Sequence, residues 1–211
     1  MITELREINN MKNKHVLISI LAASLFLWIS TAWAHRPLWD DGAGQDMAHA
    51  IEIKDVDISQ VVYHEVKPEV PYLWLKFEAR EGQEIYLELG VPVIERLKNF
   101  RPALTVLGPA LPTVQLPFEI PAGLGGQIFD TETVKEPRVY HEPFTGTDSW
   151  VWREIRFKAP ATGKYFVVAY VPSGETGKVW VALGEQERFG PLDLFRFPGW
   201  RSRTRQFHEI Q

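Results

Sequence analysis

The chain has 211 residues, of which 45% are hydrophobic, 24% charged and 12% aromatic, with no cysteine and a formal net charge of −4. These values suit one or at most two globular domains. They exclude a disordered tail protein, a coiled coil, a disulfide-stapled mini-domain and any thiolate metal site.

The N-terminus reads as a secretory signal. Lys12 and Lys14 precede an apolar run over residues 16–29, and Ala32 and Ala34 flank Trp33 as signal peptidase requires. The run is shorter than the roughly 20 residues a helix needs to cross a bilayer, so it is expected to be cut before His35. Glu4 and Glu7 fit a signal n-region poorly, which favours Met11 as the start. The mature chain would then carry 25 acidic and 20 basic side chains, a net −5, and would be soluble in the periplasm or outside the cell. Disulfides are permitted there, but without cysteine stability must come from packing. The four arginines after residue 195 leave the remainder near −8, and an acidic body argues against nucleic-acid binding.

Residues 35–50 read as an extended arm rich in Asp and Gly, and period-two alternation begins at Ile51. Leu73, Leu75, Phe77 and Ala79 share one face, opposite Tyr72, Trp74, Lys76 and Glu78; after Glu81-Gly82, Ile85, Leu87 and Leu89 face inward. The pair is expected to form a hairpin with one wet face. Residues 151–158, 164–171 and 179–183, separated by turns at Gly163 and Gly174, are expected to form an antiparallel meander. Residues 51–53, 60–66, 103–107 and 127–134 are shorter strand candidates. Pro109, Pro112, Pro117 and Pro121 mark a rim loop or a crossover between sheets. Helix is expected only at 93–99 and in a turn at 191–195. The sum is an all-β, antiparallel two-sheet sandwich, jelly-roll-like, with short helical segments: a domain over 51–188 followed by an aromatic and arginine-rich tail over 189–211.

The motif Phe77-Glu78-Ala79-Arg80-Glu81-Gly82-Gln83 and the later Ala159-Pro160-Ala161-Thr162-Gly163-Lys164-Tyr165 resemble the bacterial pre-peptidase C-terminal domain, a small sandwich of exported proteins. The resemblance spans residues 60–183. It implies a non-catalytic module and supplies no catalytic residue.

Several residues are candidates for chemistry. Cleavage before His35 would place an amine and an imidazole on one residue, a pair able to chelate copper with a second imidazole from His49, His64, His141 or His208. The loop holding Tyr140, His141, Glu142, Asp148 and Trp150, with Trp74 and Trp152 taken as exposed, offers hydroxyls, charge and rings to a glycan or peptide. Ser149 and Ser173 lack a Gly-x-Ser-x-Gly elbow. Asp55-Val56-Asp57 starts like a calcium loop, but Gln60 stands where that loop needs glycine and Val66 where it needs glutamate. The glycines at 123, 125 and 126 open no helix and read as a turn. In the tail, Phe197, Trp200, Arg201, Arg203 and Arg205 are the residue types of interfaces and of docking on anionic lipid. The expected function is an exported, non-catalytic binding or structural module at the cell envelope, partnered by an envelope protein or glycan with peripheral membrane contact through the tail. A copper protein and a carbohydrate- or peptide-binding module are the alternatives.

Overall fold

The computed structural model describes residues 35–190 and 192–210, so the expected signal segment lies outside the described residues. One sheet contains β1 (Arg36–Trp39), β3 (Gln60–Val66), β5 (Glu84–Pro92), β8 (Arg138–Glu142), β9 (Thr147–Lys158) and β11 (Gly177–Leu183), in the order β1-β3-β11-β5-β9-β8. The other contains β2 (Ile51–Glu52), β4 (Leu73–Ala79), β6 (Ala103–Gly108), β7 (Gly125–Phe129) and β10 (Gly163–Tyr170), in the order β2-β4-β10-β6-β7. Pairing is antiparallel except at one edge of each sheet, where β1 runs parallel to β3 and β2 parallel to β4. The two-sheet sandwich expected from the alternation is therefore the fold. Its core lies between the inward faces, with Leu73, Leu75 and Phe77 from β4 meeting Ile85, Leu87 and Leu89 from β5.

The candidates at 51–53, 60–66, 73–79, 85–89, 103–107, 151–158, 164–171 and 179–183 all correspond to strands, but β1 falls in the expected arm, β8 and the first residues of β9 in the expected loop at 140–150, and β7 begins at Gly125 in the expected turn and ends at Phe129, short of 134. The partners of the strands differ as well. β4 and β5 do not form a hairpin: β4 pairs with β10, while β5 pairs with β11 and β9. Nor do β9, β10 and β11 form a meander, because β10 lies in the opposite sheet. The turns at residues 80–83 and 159–162 carry the chain from one sheet across to the other, and they hold each other through Gly82 N–H to the Ala159 carbonyl, 2.8 Å, and Ala159 N–H to the Gln83 carbonyl, 2.9 Å. The proline-rich segment joins β6 to β7 within one sheet and is not a crossover. It folds over that sheet's outer face, where Leu116, Phe118, Ile120 and Leu124 cover Trp74, Leu107, Phe166 and Val168. Trp74 is thus 3% exposed, not free for a ligand.

The outer face of the six-stranded sheet is covered by a helix, α1 (Asp193–Phe207), in place of the single turn expected at 191–195. The candidate helix at 93–99 is one 3-10 turn, Glu95–Leu97. Phe207 packs with Val61, Val151, Trp180 and Ala182, bordered by Trp39, Tyr63 and Tyr140. In β9 the register shifts opposite Leu89 and Gly90: Arg153 faces Leu89, Val151 faces Gly90, and Trp152 is the additional residue. The bulge reverses the phase, so Trp152 joins the core, 4% exposed, instead of the wet face expected for it.

The Trp180 indole lies directly on Gly90, where a Cβ would come within 2.1 Å of the ring. Only glycine lets the ring down onto the sheet, to donate from Nε1 to the Ser149 hydroxyl at 3.0 Å. Gly90→Ala is therefore expected to lower stability by about 2 kcal/mol or more, the cost of overpacking a closed site. Chemical denaturation reads this directly, and a variant within about 0.5 kcal/mol of the parent would contradict the packing.

Candidate functional site

The polar chemistry of the molecule gathers on the outer face of the six-stranded sheet. Period two makes Tyr86 and Glu88 neighbours on one side of β5, and the antiparallel register sets them beside Arg156 and Glu154 of β9. Glu88 is 4% exposed and accepts from the Tyr86 hydroxyl at 2.7 Å and from Arg138 at 2.9 Å. Arg138 also donates from Nε to Glu154 at 2.6 Å. His35 Nε2 stands 3.9 Å from Glu88, and its Nδ1 lies 2.6 Å from the Ser59 hydroxyl. Burial pushes the Glu88 carboxyl above its ordinary range, against the pull of Tyr86 and Arg138. Burial, and then the charge of Arg138, push the His35 imidazole down to about 4. The result is a satisfied polar centre: a carboxylate held by a guanidinium and a phenol, with an uncharged imidazole at its rim.

Next to it the C-terminal half of α1 is locked down. His208 Nδ1 donates to the Thr204 carbonyl at 2.9 Å, which leaves Nε2 of the neutral ring to accept from the Ser149 hydroxyl at 3.1 Å. Ser149 in turn accepts from Trp180 Nε1. This serine-histidine pair is buried under the helix, and both of its members are occupied in holding α1 to the sheet. Lys178 Nζ donates to the Phe207 carbonyl at 2.8 Å and pairs with Glu209 at 2.9 Å, placing a cation at the negative end of the helix. Glu209 adopts a left-handed backbone at φ 58° and closes the helix with a Schellman turn, in which Ile210 N–H reaches the Arg205 carbonyl.

The N-terminal strand completes the clamp. Arg36 reaches the buried Asp193 at 3.4 Å, and Asp193 also accepts from Gly190 N–H at 2.9 Å. Arg203 pairs with Asp41 and lies over the Trp39 ring at 4.3 Å. Arg205 donates to the Thr145 carbonyl at 3.1 Å, and Arg201 to the Phe144 carbonyl at 3.2 Å. Of the five tail residues expected at an interface, Arg201, Arg203 and Arg205 are thus turned onto the sandwich. Phe197 is half-buried among Phe144, Phe189 and Trp200. The residues presented outward are two others of the tail's apolar set, Leu192, 70% exposed, and Phe195, 84% exposed. Their helical spacing of three was the available signal, and it becomes visible once the tail is known to be a helix.

The remaining candidates are dispersed. His49 contacts Asp46 at 2.8 Å, His141 contacts Asp148 at 2.7 Å, and His64 is buried between Asp40 at 2.9 Å and the Val70 carbonyl at 3.1 Å. Each has its own partners, and among the described residues no group of three His, Asp or Glu side chains is arranged to hold a metal ion. His35 itself is engaged with Ser59 and Glu88. In the 140–150 segment, Glu142 accepts from the backbone N–H of Phe144 at 3.0 Å and of Thr145 at 2.6 Å, fastening its own turn. His141 and Asp148 are exposed, and Trp150 packs partly against the core.

No protein-family model and no curated relative matches the chain. Among solved structures, the pre-peptidase C-terminal domain of a collagenase from Bacillus anthracis is similar to it over 63% of this chain and 91% of that domain, with 9% identity and a TM-score of 0.33. That structure is of the domain type the sequence resembles. The similarity concerns fold alone, and no residue role is carried over from it.

His208 also yields a pH test. Burial pushes it down to about 4, whereas in the unfolded chain it titrates near 6.5, so the unfolded state binds the extra proton between those values. Stability is accordingly lost as pH falls through that window. His35 acts in the same direction and the raised Glu88 in the opposite one. The difference between parent and His208→Gln isolates the one group: the variant's stability should fall less steeply between pH 6.5 and 4.5, by up to about 1.4 kcal/mol per pH unit. Equal slopes in the two proteins would show that His208 is not held neutral under the helix.

Proposed function

We propose that this chain is an exported, non-catalytic β-sandwich module that docks at the cell envelope through the N-terminal end of α1. The observation that carries the reading is a helix fastened along its C-terminal half while its other end holds Leu192 and Phe195 in solvent. Scattered exposed apolar residues are ordinary on any surface. Here two large ones stand a helical turn apart on an element that the fold immobilises, and Phe189 packs on Phe197 of the same helix. Pre-ordered apolar anchors avoid most of the ordering cost of binding. The serine-histidine pair is sealed, the Glu88 centre is internally satisfied, and the polar loop at 140–150 is engaged in its own turn, so none of these offers a comparable free surface. Export is supported by Lys12, Lys14, the apolar run at 16–29 and Ala32-Trp33-Ala34. Among the described residues no helix is long and apolar enough to cross a membrane.

Expression of the full-length sequence in a bacterial host, followed by fractionation and N-terminal sequencing, tests both halves. The expected product starts at His35 and co-fractionates with the envelope. The double variant Leu192→Ser/Phe195→Ser should be released into the soluble fraction at an unchanged melting temperature, because both side chains are already in water. Intact residues 11–34 inside the cell would overturn export, and equal retention of the variant would overturn docking through the tip.

A further inference from the structure

The geometry points to an anionic bilayer surface as the partner of the α1 tip, with Leu192 and Phe195 entering the headgroup region and Arg188 and Arg196 resting on lipid phosphates. The inference rests on the docking reading above and names its partner.

Charge complementarity selects that partner. Five arginines and one acid, Asp193, lie between residues 188 and 205, in a chain whose net charge is −4. Asp193 is neutralised within the fold by Arg36 at 3.4 Å and Arg196 at 3.7 Å, and little of its charge reaches the surface. The arginines divide by task. Arg203 and Arg205 are turned toward the sandwich. Arg188 and Arg196 have exposed side chains, each with a loose ionic partner, Asp55 at 3.5 Å and Asp193 at 3.7 Å. Asp193 keeps Arg36 as a second partner, so both outward guanidiniums can turn to a phosphate, which they bind in a bidentate fork. In α1, Phe195 and Arg196 follow Leu192 by three and four residues, so the apolar anchors and a guanidinium lie on one side of the tip.

The tip is also held in place. Asp193, in its first turn, is buried and bound by Arg36 at 3.4 Å, and Thr204, Phe207 and His208 are buried at the other end. An apolar edge with flanking arginines is the pattern of elements that lie in a membrane interface. A protein partner of equal size would need an apolar pocket ringed by acids, whereas a bilayer meets both demands with its ordinary constituents.

The test is co-sedimentation of the full-length product with lipid vesicles at low and high salt. Vesicles containing 30% phosphatidylglycerol should bind it, pure phosphatidylcholine vesicles should bind it about tenfold less, and raised salt should weaken the anionic binding. Leu192→Ser/Phe195→Ser should lose about tenfold or more on anionic vesicles. Arg188→Gln/Arg196→Gln should lose about tenfold there and respond less to salt. If neither vesicle binds the parent while the serine variant is still released from envelopes, the bilayer assignment is overturned and docking on a protein stands. Should the serine variant stay on envelopes as firmly as the parent, the docking reading itself has failed. Equal binding to both vesicle types, or no effect of the glutamine variant, would overturn the anionic specificity.

Discussion

The architecture depends on one constraint: the central strand of each sheet is apolar on both of its faces. In β10, Tyr165, Val167 and Ala169 point into the sandwich while Phe166 and Val168 point away from it. In β11, Val179, Val181 and Leu183 point in while Trp180 and Ala182 point out. Two layers alone would leave two apolar stripes in water, so each sheet needs a cover. A folded proline-rich segment supplies one, with Phe118 set edge-on against Tyr72, Trp74 and Tyr170. The end of α1 supplies the other. Burying a tryptophan such as Trp74 or Trp180 removes on the order of 200 Å² from water, roughly 5 kcal/mol, so each cover contributes on the scale of a whole domain's stability.

Alternation records which way a side chain points and carries no information about which strand lies alongside. That is why the long alternating strands were legible in the sequence and the pairings were not, while the edge strands β1 and β8, too short and polar to alternate clearly, were missed. Residues 80–83 look like a hairpin turn because hairpins and sheet-to-sheet arches both need a short polar bend. The face of β4 carrying Trp74 reads as wet because Lys76 and Glu78 follow it, yet only Glu78 is fully exposed, Lys76 is half-buried and Trp74 is covered. Trp152 was misplaced for a different reason: a bulge is a property of a strand pair, so no count along β9 alone could find the phase change.

The helix was hidden by its own composition. Pro198 and Gly199 sit in its middle, and its aromatic residues occur on all sides, so neither propensity nor a 3.6-residue period marks it. What makes it a helix is tertiary: Lys178 at the C-terminal carbonyls, Ser149 and Trp180 through His208, and Arg203 through Trp39 and Asp41. Every one of those partners lies far away in sequence. Much of the candidate site is invisible for the same reason. The Arg-aromatic content of the tail announced an interface. Only the helical phase, fixed by contacts with the sheet, distinguishes the arginines that fasten the tail from the ones that face outward.

The clamp also ties residues 36–41 to α1. Arg36, Trp39 and Asp41, within the first seven residues after the expected cleavage point, all contact α1, through Asp193, Phe207 and Arg203. β1 itself is held to β3 by a short parallel ladder and by Arg36 N–H to the Ser59 carbonyl at 3.0 Å. Seating of the helix therefore requires the N-terminal strand to be in place. The tip of such a helix is held at a fixed attitude to the sandwich by Arg36, Trp39 and Asp41, so a surface engaged by the tip would also be met by the sandwich in one orientation. A flexible tail with the same side chains would bind without orienting anything. The difference between the two is supplied by the buried contacts of Thr204, Phe207 and His208.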